Sequence, residues 1–275
     1  MRNATIAPAT PSAETPARHS PRAAPFPATP ALHPVSQRFG RVHSYILDDG
    51  HGLTVIDALG DGLARPLLEQ LASLGRAPGE IRNIILTHAH LTHVKGAWAL
   101  KRASGARVFA PAAERDVIEG RRPSNQTTWI PRRPWRVWPQ QYALNVSNVL
   151  WRLGIRLSAL TPPPVVVDTT IVSDGQRIGP VIAFKTPGHT PGSTSFYWPE
   201  TETLFAGDAL VTWPRLELGW RGLTEDYAQN VRSIRALVTE FESRGWSIRT
   251  LATGHGPPIQ LDGLAALQRL LADAR

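Results

Sequence analysis

The chain of 275 residues contains no cysteine, and this absence excludes several kinds of chemistry. Without thiols there are no disulfides, no thiolate metal ligands and no cysteine nucleophile. The sequence also lacks an apolar run approaching the ~20 residues that a membrane helix needs, so we expect no integral membrane segment. We predict a cytoplasmic protein, because a chain without cysteine is compatible with a reducing compartment.

Acidic residues are missing from residues 120–167, although this segment carries seven arginines. It also holds four of the nine tryptophans. The net charge of the whole chain is +8, so this one segment supplies most of the excess. Arginine forms paired hydrogen bonds with carboxylates and phosphates, which favours an anionic small molecule as the substrate.

The first 34 residues have almost no periodic apolar pattern and contain eight of the 25 prolines. Such a composition is typical of disorder, so we predict a disordered tail over residues 1–34 and a folded domain over residues 35–275. A transit peptide is the alternative for the tail, since Arg2, Arg18 and Arg22 face only one acid, Glu14.

The rest of the sequence alternates short β-branched runs with segments of helical spacing. We predict strands over residues 41–47, 53–57, 81–86, 107–110, 165–167, 171–172, 181–184, 195–198, 203–205 and 248–252. We predict helices over residues 66–74, 93–104 and 261–272, and another that begins at Thr224. This pattern indicates an α/β protein with two sheets.

Histidine and aspartate follow several of these predicted strands, next to glycine or to one another. His88, His90 and His93 come directly after the run that ends at Leu86. Downstream, His189, Asp208 and His255 each lie beside a glycine after an apolar segment. Neutral imidazoles suit zinc or iron as ligands. A metal ion with open coordination positions can bind and activate water.

These pieces, in this order, resemble the metallo-β-lactamase superfamily of metal-dependent hydrolases, and the motifs are similar to those of glyoxalase II. The resemblance extends over residues 39–261 and implies a four-layer αββα sandwich. It also implies ligand roles. The first metal site would use His88, His90 and His189, and the second would use His93, Asp208 and His255, with Asp208 bridging both. Asp57 would support the ligands through hydrogen bonds.

One position departs from the family motif His-x-His-x-Asp-His, because Thr92 stands where the family has aspartate. A neutral hydroxyl replaces an anionic ligand, so we expect zinc to bind firmly at the first site and weakly at the second. Iron is the alternative metal. Asp208 is then a candidate general base, Thr92 a candidate catalytic residue, and the simplest role of Thr92 is to cap a helix.

The basic segment over residues 120–165 is predicted to be a lid over the substrate, with Arg132, Arg133, Trp135 and Trp138 facing it. An oligomer contact that would form a homodimer, an anionic or membrane surface, and nucleic acid are the alternatives. We favour the lid and expect no nucleic-acid partner, because amphipathic lids occur at this place in the family.

The resemblance predicts an enzyme that uses a metal-bound hydroxide to cleave a small ester, thioester or lactone. Two other classes stay open. One is a mononuclear iron oxidoreductase of the persulfide dioxygenase type, and the other is a non-catalytic protein that keeps only the metal-binding pocket.

The substitution Thr92→Asp tests the effect of the missing aspartate. We expect the second site to bind zinc about tenfold more tightly and hydrolysis to become faster, because an anionic ligand is restored. Zinc titration and steady-state kinetics measure the two effects, with Thr92→Asn as a neutral control. No gain in either quantity would contradict the claim that Thr92 limits the second site.

Overall fold

The computed structural model describes residues 29–37, 41–122 and 163–274. Arg132, Arg133, Trp135 and Trp138, the residues of the predicted lid, lie outside these ranges. Most of the predicted N-terminal tail lies outside them as well.

Two six-stranded sheets form the centre of the described chain. The strands of the first sheet, in spatial order, are β1 (Ala31–Gln37), β2 (Val42–Asp48), β3 (Leu53–Ile56), β4 (Ile81–Ile85), β5 (Arg107–Pro111) and β6 (Thr169–Ile171). Those of the second sheet, from the edge formed by the last strand, are β12 (Ile259–Gln260), β11 (Thr250–Ala252), β10 (Thr203–Phe205), β9 (Thr194–Trp198), β8 (Val181–Lys185) and β7 (Arg177–Ile178).

The helices connect these strands and cover the sheets. They are α1 (Arg65–Ser73), α2 (Leu91–Val94), α3 (Ala97–Ser104), α4 (Arg115–Ile118), α5 (Tyr227–Arg244) and α6 (Gly263–Ala272). None of the helices in the described ranges is both long and apolar enough to cross a bilayer.

Three apolar clusters show that the layers follow the order helix, sheet, sheet, helix. The first packs α1 and α3 on the outer face of the first sheet, and the third packs α5 and α6 on the outer face of the second sheet. The middle cluster fills the space between the sheets and contains Leu47 and Ile85 from one sheet and Phe196 and Trp198 from the other. The predicted four-layer αββα sandwich is therefore confirmed.

Strands β2, β3, β9 and β10 are buried at every position, and the alternation of side chains along a strand explains their composition. In β9, Phe196 and Trp198 belong to the cluster between the sheets, whereas Tyr197 packs against the outer helices. Successive side chains of a strand point to opposite faces, so a strand covered on both faces needs apolar residues at consecutive positions. This is the pattern that the sequence shows.

The folded domain begins earlier than predicted. Ala31–Gln37 forms β1, which pairs antiparallel with β2, so the boundary between residues 34 and 35 is wrong. Pro34 and the other prolines of this region favoured a tail in the sequence analysis. A proline is tolerated here because β1 is an edge strand, where one side of the backbone needs no partner strand.

Three predicted elements also differ in detail. Residues 165–167 lie outside any strand, and the neighbouring strand is β6. The helix predicted over residues 93–104 is divided into α2 and α3 near Gly96, where a Cβ atom would lie 2.3 Å from the carbonyl oxygen of Ala58. Asp226, not Thr224, caps α5, because its carboxylate accepts a hydrogen bond from the amide of Gln229.

Phe196→Ala tests the contribution of the cluster between the sheets. The side chain of Phe196 is fully buried, so we expect a loss of about 3–5 kcal/mol in the free energy of unfolding. Denaturant unfolding measures it. Val172→Ala, at a side chain that is 63% exposed, is the control and should change stability by less than about 0.5 kcal/mol. Equal losses for the two variants would contradict this packing.

Candidate metal centre

The candidate ligands meet at one edge of the sandwich, where strands of both sheets end. Asp57 follows β3 and His88 lies three residues after β4, and these two strands are parallel neighbours in the first sheet. Asp208 and His255 each lie three residues after β10 and β11, which are parallel neighbours in the second sheet. Parallel neighbours end on the same side, so the topology brings these side chains together.

Four buried side chains form the first cluster, namely His88, His90, His189 and Asp208. Each offers one donor atom, and these atoms all lie within 4.8 Å of one another. His189 Nε2 lies 3.0 Å from His90 Nδ1 and 3.3 Å from Asp208 Oδ2. His88 Nε2 lies 3.8 Å from the same carboxylate oxygen.

The second cluster consists of His93, Asp208 and His255, which are also buried. His93 Nε2 lies 3.4 Å from Asp208 Oδ1, and His255 Nε2 lies 3.2 Å from Asp208 Oδ2. Asp208 therefore belongs to both clusters and lies between them, as expected of a carboxylate that bridges two metal ions.

Several of these donor atoms have no hydrogen-bond partner. Among the described residues, four buried side-chain nitrogen or oxygen atoms lack one, and three of them are His88 Nε2, His93 Nε2 and Asp208 Oδ1. A buried polar atom without a partner is costly, and most are satisfied in native proteins. Their concentration at one place, in residues that ligate metals, fits a metal centre.

A hydrogen-bond chain from Asp57 fixes which nitrogen of each histidine is available. Asp57 Oδ2 lies 2.9 Å from His93 Nδ1 and accepts a hydrogen bond from Thr87 Oγ1, also at 2.9 Å. Thr87 Oγ1 also lies 2.8 Å from His88 Nδ1. Because the threonine hydroxyl already donates to the carboxylate, it accepts from His88. Both Nδ1 atoms are therefore protonated, so the Nε2 atom of each ring faces the centre and is the atom that could bind a metal ion.

The surroundings keep most of the histidines neutral and the aspartate charged. Burial holds the pKa of His88 and of His90 well below the usual range and lowers the pKa of His189 to about 4. Burial would raise the pKa of Asp208, but the charges of His255 and His93 outweigh it and hold that pKa well below its usual range. Neutral imidazole and ionised carboxylate are the forms that bind metals.

His93 differs from the other histidines. Burial would lower its pKa, but the carboxylates of Asp208 and Asp57 outweigh burial and raise the pKa to about 10. The two carboxylates thus favour positive charge at this edge of the centre. A metal ion bound by the second cluster would replace the proton on His93.

Gly254 provides the space in which the second cluster assembles. A Cβ atom at this position would lie 2.1 Å from Asp208 Oδ1 and 2.6 Å from His93 Cε1. Any side chain would therefore displace a ligand, which explains the glycine that precedes His255.

Thr92 is not the helix cap that the sequence suggested. The residue that caps α2 is His90, and Thr92 is the second residue of the helix, half-buried. The prediction was wrong because the helix begins at Leu91, directly after the second ligand of the motif. Asp57, by contrast, is hydrogen-bonded to His93 and Thr87 behind the two clusters, and its support of metal ligands stays a prediction.

Sequence reasoning missed two residues beside the centre, Thr87 and Trp220. The hydroxyl of Thr87 links His88 to Asp57, as described above. The ring of Trp220 lies 4.7 Å from the imidazole of His255 and contacts the ring of Trp213 at 6.3 Å, forming an aromatic wall on that side. Thr87 precedes the histidine motif directly, whereas nothing local in the sequence marks Trp220.

Comparison with known proteins decides the family. Residues 38–245 match the metallo-beta-lactamase superfamily. The chain belongs to this superfamily. Its curated relatives include YobT of Bacillus subtilis (strain 168), an uncharacterized protein that is 29% identical over 181 residues, which cover 66% of this chain and 64% of the relative. A hydroxyacylglutathione hydrolase of Bartonella tribocorum is 28% identical over 140 residues, covering 51% of this chain and 38% of the enzyme.

The chain thus spans less than two thirds of the length of these relatives. Solved structures of the superfamily are similar over more of their length. The BLEG-1 B3 metallo-beta-lactamase matches with a TM-score of 0.60 and 22% identity, covering 84% of this chain and 94% of that one. TTHA1623 in a di-iron-bound form matches with a TM-score of 0.58 and 26% identity, covering 85% of the present chain and 96% of TTHA1623.

Asp57→Asn tests the hydrogen-bond chain behind the ligands. Asp57 Oδ1 accepts from the backbone amide of Thr87, and Oδ2 is bonded to Thr87 Oγ1 and His93 Nδ1, so an asparagine would have to turn its NH₂ group toward at least one of these donors. We expect zinc affinity to fall by about 10–100-fold, as for other residues that orient ligands. Competition with a chromophoric chelator measures the affinity.

The control is Asp49→Asn, at a carboxylate that accepts backbone hydrogen bonds in the turn between β2 and β3. It should leave zinc affinity unchanged. A folded Asp57→Asn variant with the affinity of the wild type would show that the carboxylate does not orient the ligands.

Proposed function

We propose that this chain is a metal-dependent hydrolase that cleaves a small anionic ester, thioester or lactone. One observation carries the proposal. Two clusters of donor atoms share the buried carboxylate of Asp208, and each cluster contains a histidine Nε2 atom that has no hydrogen-bond partner.

The two clusters would hold divalent metal ions, which when bound would supply Lewis acidity and lower the pKa of water. The residues of the chain prepare for this in two ways. Asp57 and Thr87 orient His88 and His93, so that Nε2 of His88 could bind an ion in the first cluster and Nε2 of His93 an ion in the second. Burial of the ligands excludes bulk water, which strengthens every electrostatic interaction inside the centre.

Asp208 suits the role of a shared ligand better than that of a general base. A carboxyl group whose pKa lies well below the usual range is a weak proton acceptor at neutral pH. Its two oxygens face nitrogens of both clusters, which is the geometry of a bridging ligand. The general-base role and a catalytic role for Thr92 stay predictions.

The second metal site is proposed to be the weaker one. It keeps three donor residues, His93, Asp208 and His255, whereas the first cluster has four. The half-buried Thr92 is neutral and adds no charge where the family has an aspartate. Zinc is the expected ion, and iron is kept as the alternative because TTHA1623 is known in a di-iron-bound form.

The choice of bond rests on the relatives. Several of them are named hydroxyacylglutathione hydrolases, which supports testing acylated glutathione first. The anionic character of the substrate rests on the arginine-rich segment of residues 120–167. The lid, a homodimer and a cytoplasmic location stay predictions.

The direct test is turnover by the zinc-loaded protein of an acylated glutathione, a nitrophenyl ester and a lactone. We expect hydrolysis of at least one class, and an inactive protein after zinc is removed by a chelator. His189→Ala removes a ligand and should lower kcat/KM by at least about 100-fold, since even residues behind the ligands contribute up to that much. Val172→Ala is the control and should keep full activity.

Two results would contradict the proposal. Full zinc loading without turnover of any class would indicate a binding protein that keeps only the pocket. Iron in the purified protein, together with oxygen uptake on addition of glutathione persulfide, would indicate an oxidoreductase of the persulfide dioxygenase type.

A further inference from the structure

Glu114 is a charged residue that the proposed mechanism does not use, and yet it is buried. It lies on a short 3-10 turn that follows β5, and only 4% of it is exposed. Burying a carboxylate is costly unless hydrogen bonds compensate for the lost water. The hydrogen-bond partners of this carboxylate therefore indicate its role.

The two oxygens of Glu114 accept hydrogen bonds from two different loops. Oε2 accepts from the amide of Ala89 at 3.1 Å, and Oε1 accepts from the amide of Gly192 at 2.7 Å. Ala89 lies between the ligands His88 and His90, and Gly192 lies three residues after the ligand His189. Glu114 therefore connects the two loops that supply all three histidines of the first cluster.

These loops belong to different sheets. The first follows β4 of the first sheet, and the second joins β8 to β9 of the second sheet. A backbone hydrogen bond between Thr194 and Thr87, at 3.1 Å, also connects them, but at the start of β9. Glu114 makes its bonds within the loops, next to the ligands themselves.

The neighbouring residues are fitted to this side chain. A Cβ atom at Gly192 would lie 2.6 Å from Glu114 Cγ and 2.7 Å from its Oε1. Glycine at this position therefore allows the carboxylate to reach the loop. A side chain introduced at Gly192 would therefore disturb the hydrogen bond to Glu114 without changing Glu114 itself.

We propose that Glu114 is a positioning residue that sets the distance between His189 and the pair His88 and His90, and with it the geometry of the first metal site. This inference rests on the proposed function, since it assumes that the cluster binds a metal ion. A carboxylate is required because both partners are N–H donors and a carboxylate only accepts. Glutamine would present its NH₂ group to one of them, so one loop would lose its bond.

Glu114→Gln is the test, with two readouts that do not depend on activity. We expect zinc affinity, measured by chelator competition, to fall by about 10–100-fold. We also expect the visible absorption spectrum of the cobalt-substituted protein to change, because it reports the arrangement of the ligands. Gly192→Ala changes the loop residue that binds Glu114 and should produce both effects. It provides the test if Glu114→Gln does not fold.

Glu80→Gln is a matched control. Glu80 also lies on a 3-10 turn, and its carboxylate accepts a hydrogen bond from the backbone amide of Ala77 at 2.7 Å. It precedes β4, however, whereas His88 follows the opposite end of that strand. Its substitution should lower thermal stability and leave both metal readouts unchanged.

The outcomes separate this inference from the proposed function. A wild-type chain that takes up no metal would contradict both. A wild-type chain that binds zinc, with Glu114→Gln and Gly192→Ala showing the same affinity and spectrum, would overturn the positioning role alone. In that case Glu114 would be a purely structural residue, like Glu80.

Discussion

The rest of the site depends on the contacts between the buried carboxylate of Asp208 and the surrounding histidines. The carboxylate carries a negative charge at the junction of the two sheets, where water cannot stabilise it, and nitrogens of four histidines lie within 3.8 Å of its oxygens. Hydrogen bonds alone do not satisfy this group, since Oδ1 has no partner. Positive charge stabilises this carboxylate, and either the proton on His93 or a bound metal ion would supply it.

The surrounding fold holds this charge in a defined geometry. Parallel strands of each sheet end at the same edge, and the ligands follow those ends in short loops. Asp57 and Thr87 orient two histidines from behind, and Glu114 connects the loops that carry three of them. Gly254 leaves the space that Asp208 and His93 occupy. The strand ends, the hydrogen bonds and the space at Gly254 thus all position the same few side chains.

Much of this could be predicted from the sequence because it is local. The run of Ile81 to Leu86 followed by His88 and His90 predicts a strand that ends in clustered histidines, and the structure has β4 followed by these two buried side chains. The predicted domain boundary at Pro34 was wrong because β1 is stabilised by its pairing with β2, which the local sequence does not show. The role of Glu114 could not be predicted, since its partners Ala89 and Gly192 are distant in sequence and bind it through backbone amides.

We propose that Asp208 serves two metal sites at once. Stepwise zinc titration of the wild type and Asp208→Asn, followed by native mass spectrometry, tests this most directly. The wild type should bind one zinc ion tightly and a second more weakly. A shared carboxylate predicts that the substitution weakens both steps. If it weakens only one step, or neither, Asp208 does not lie between two metal ions in the way described.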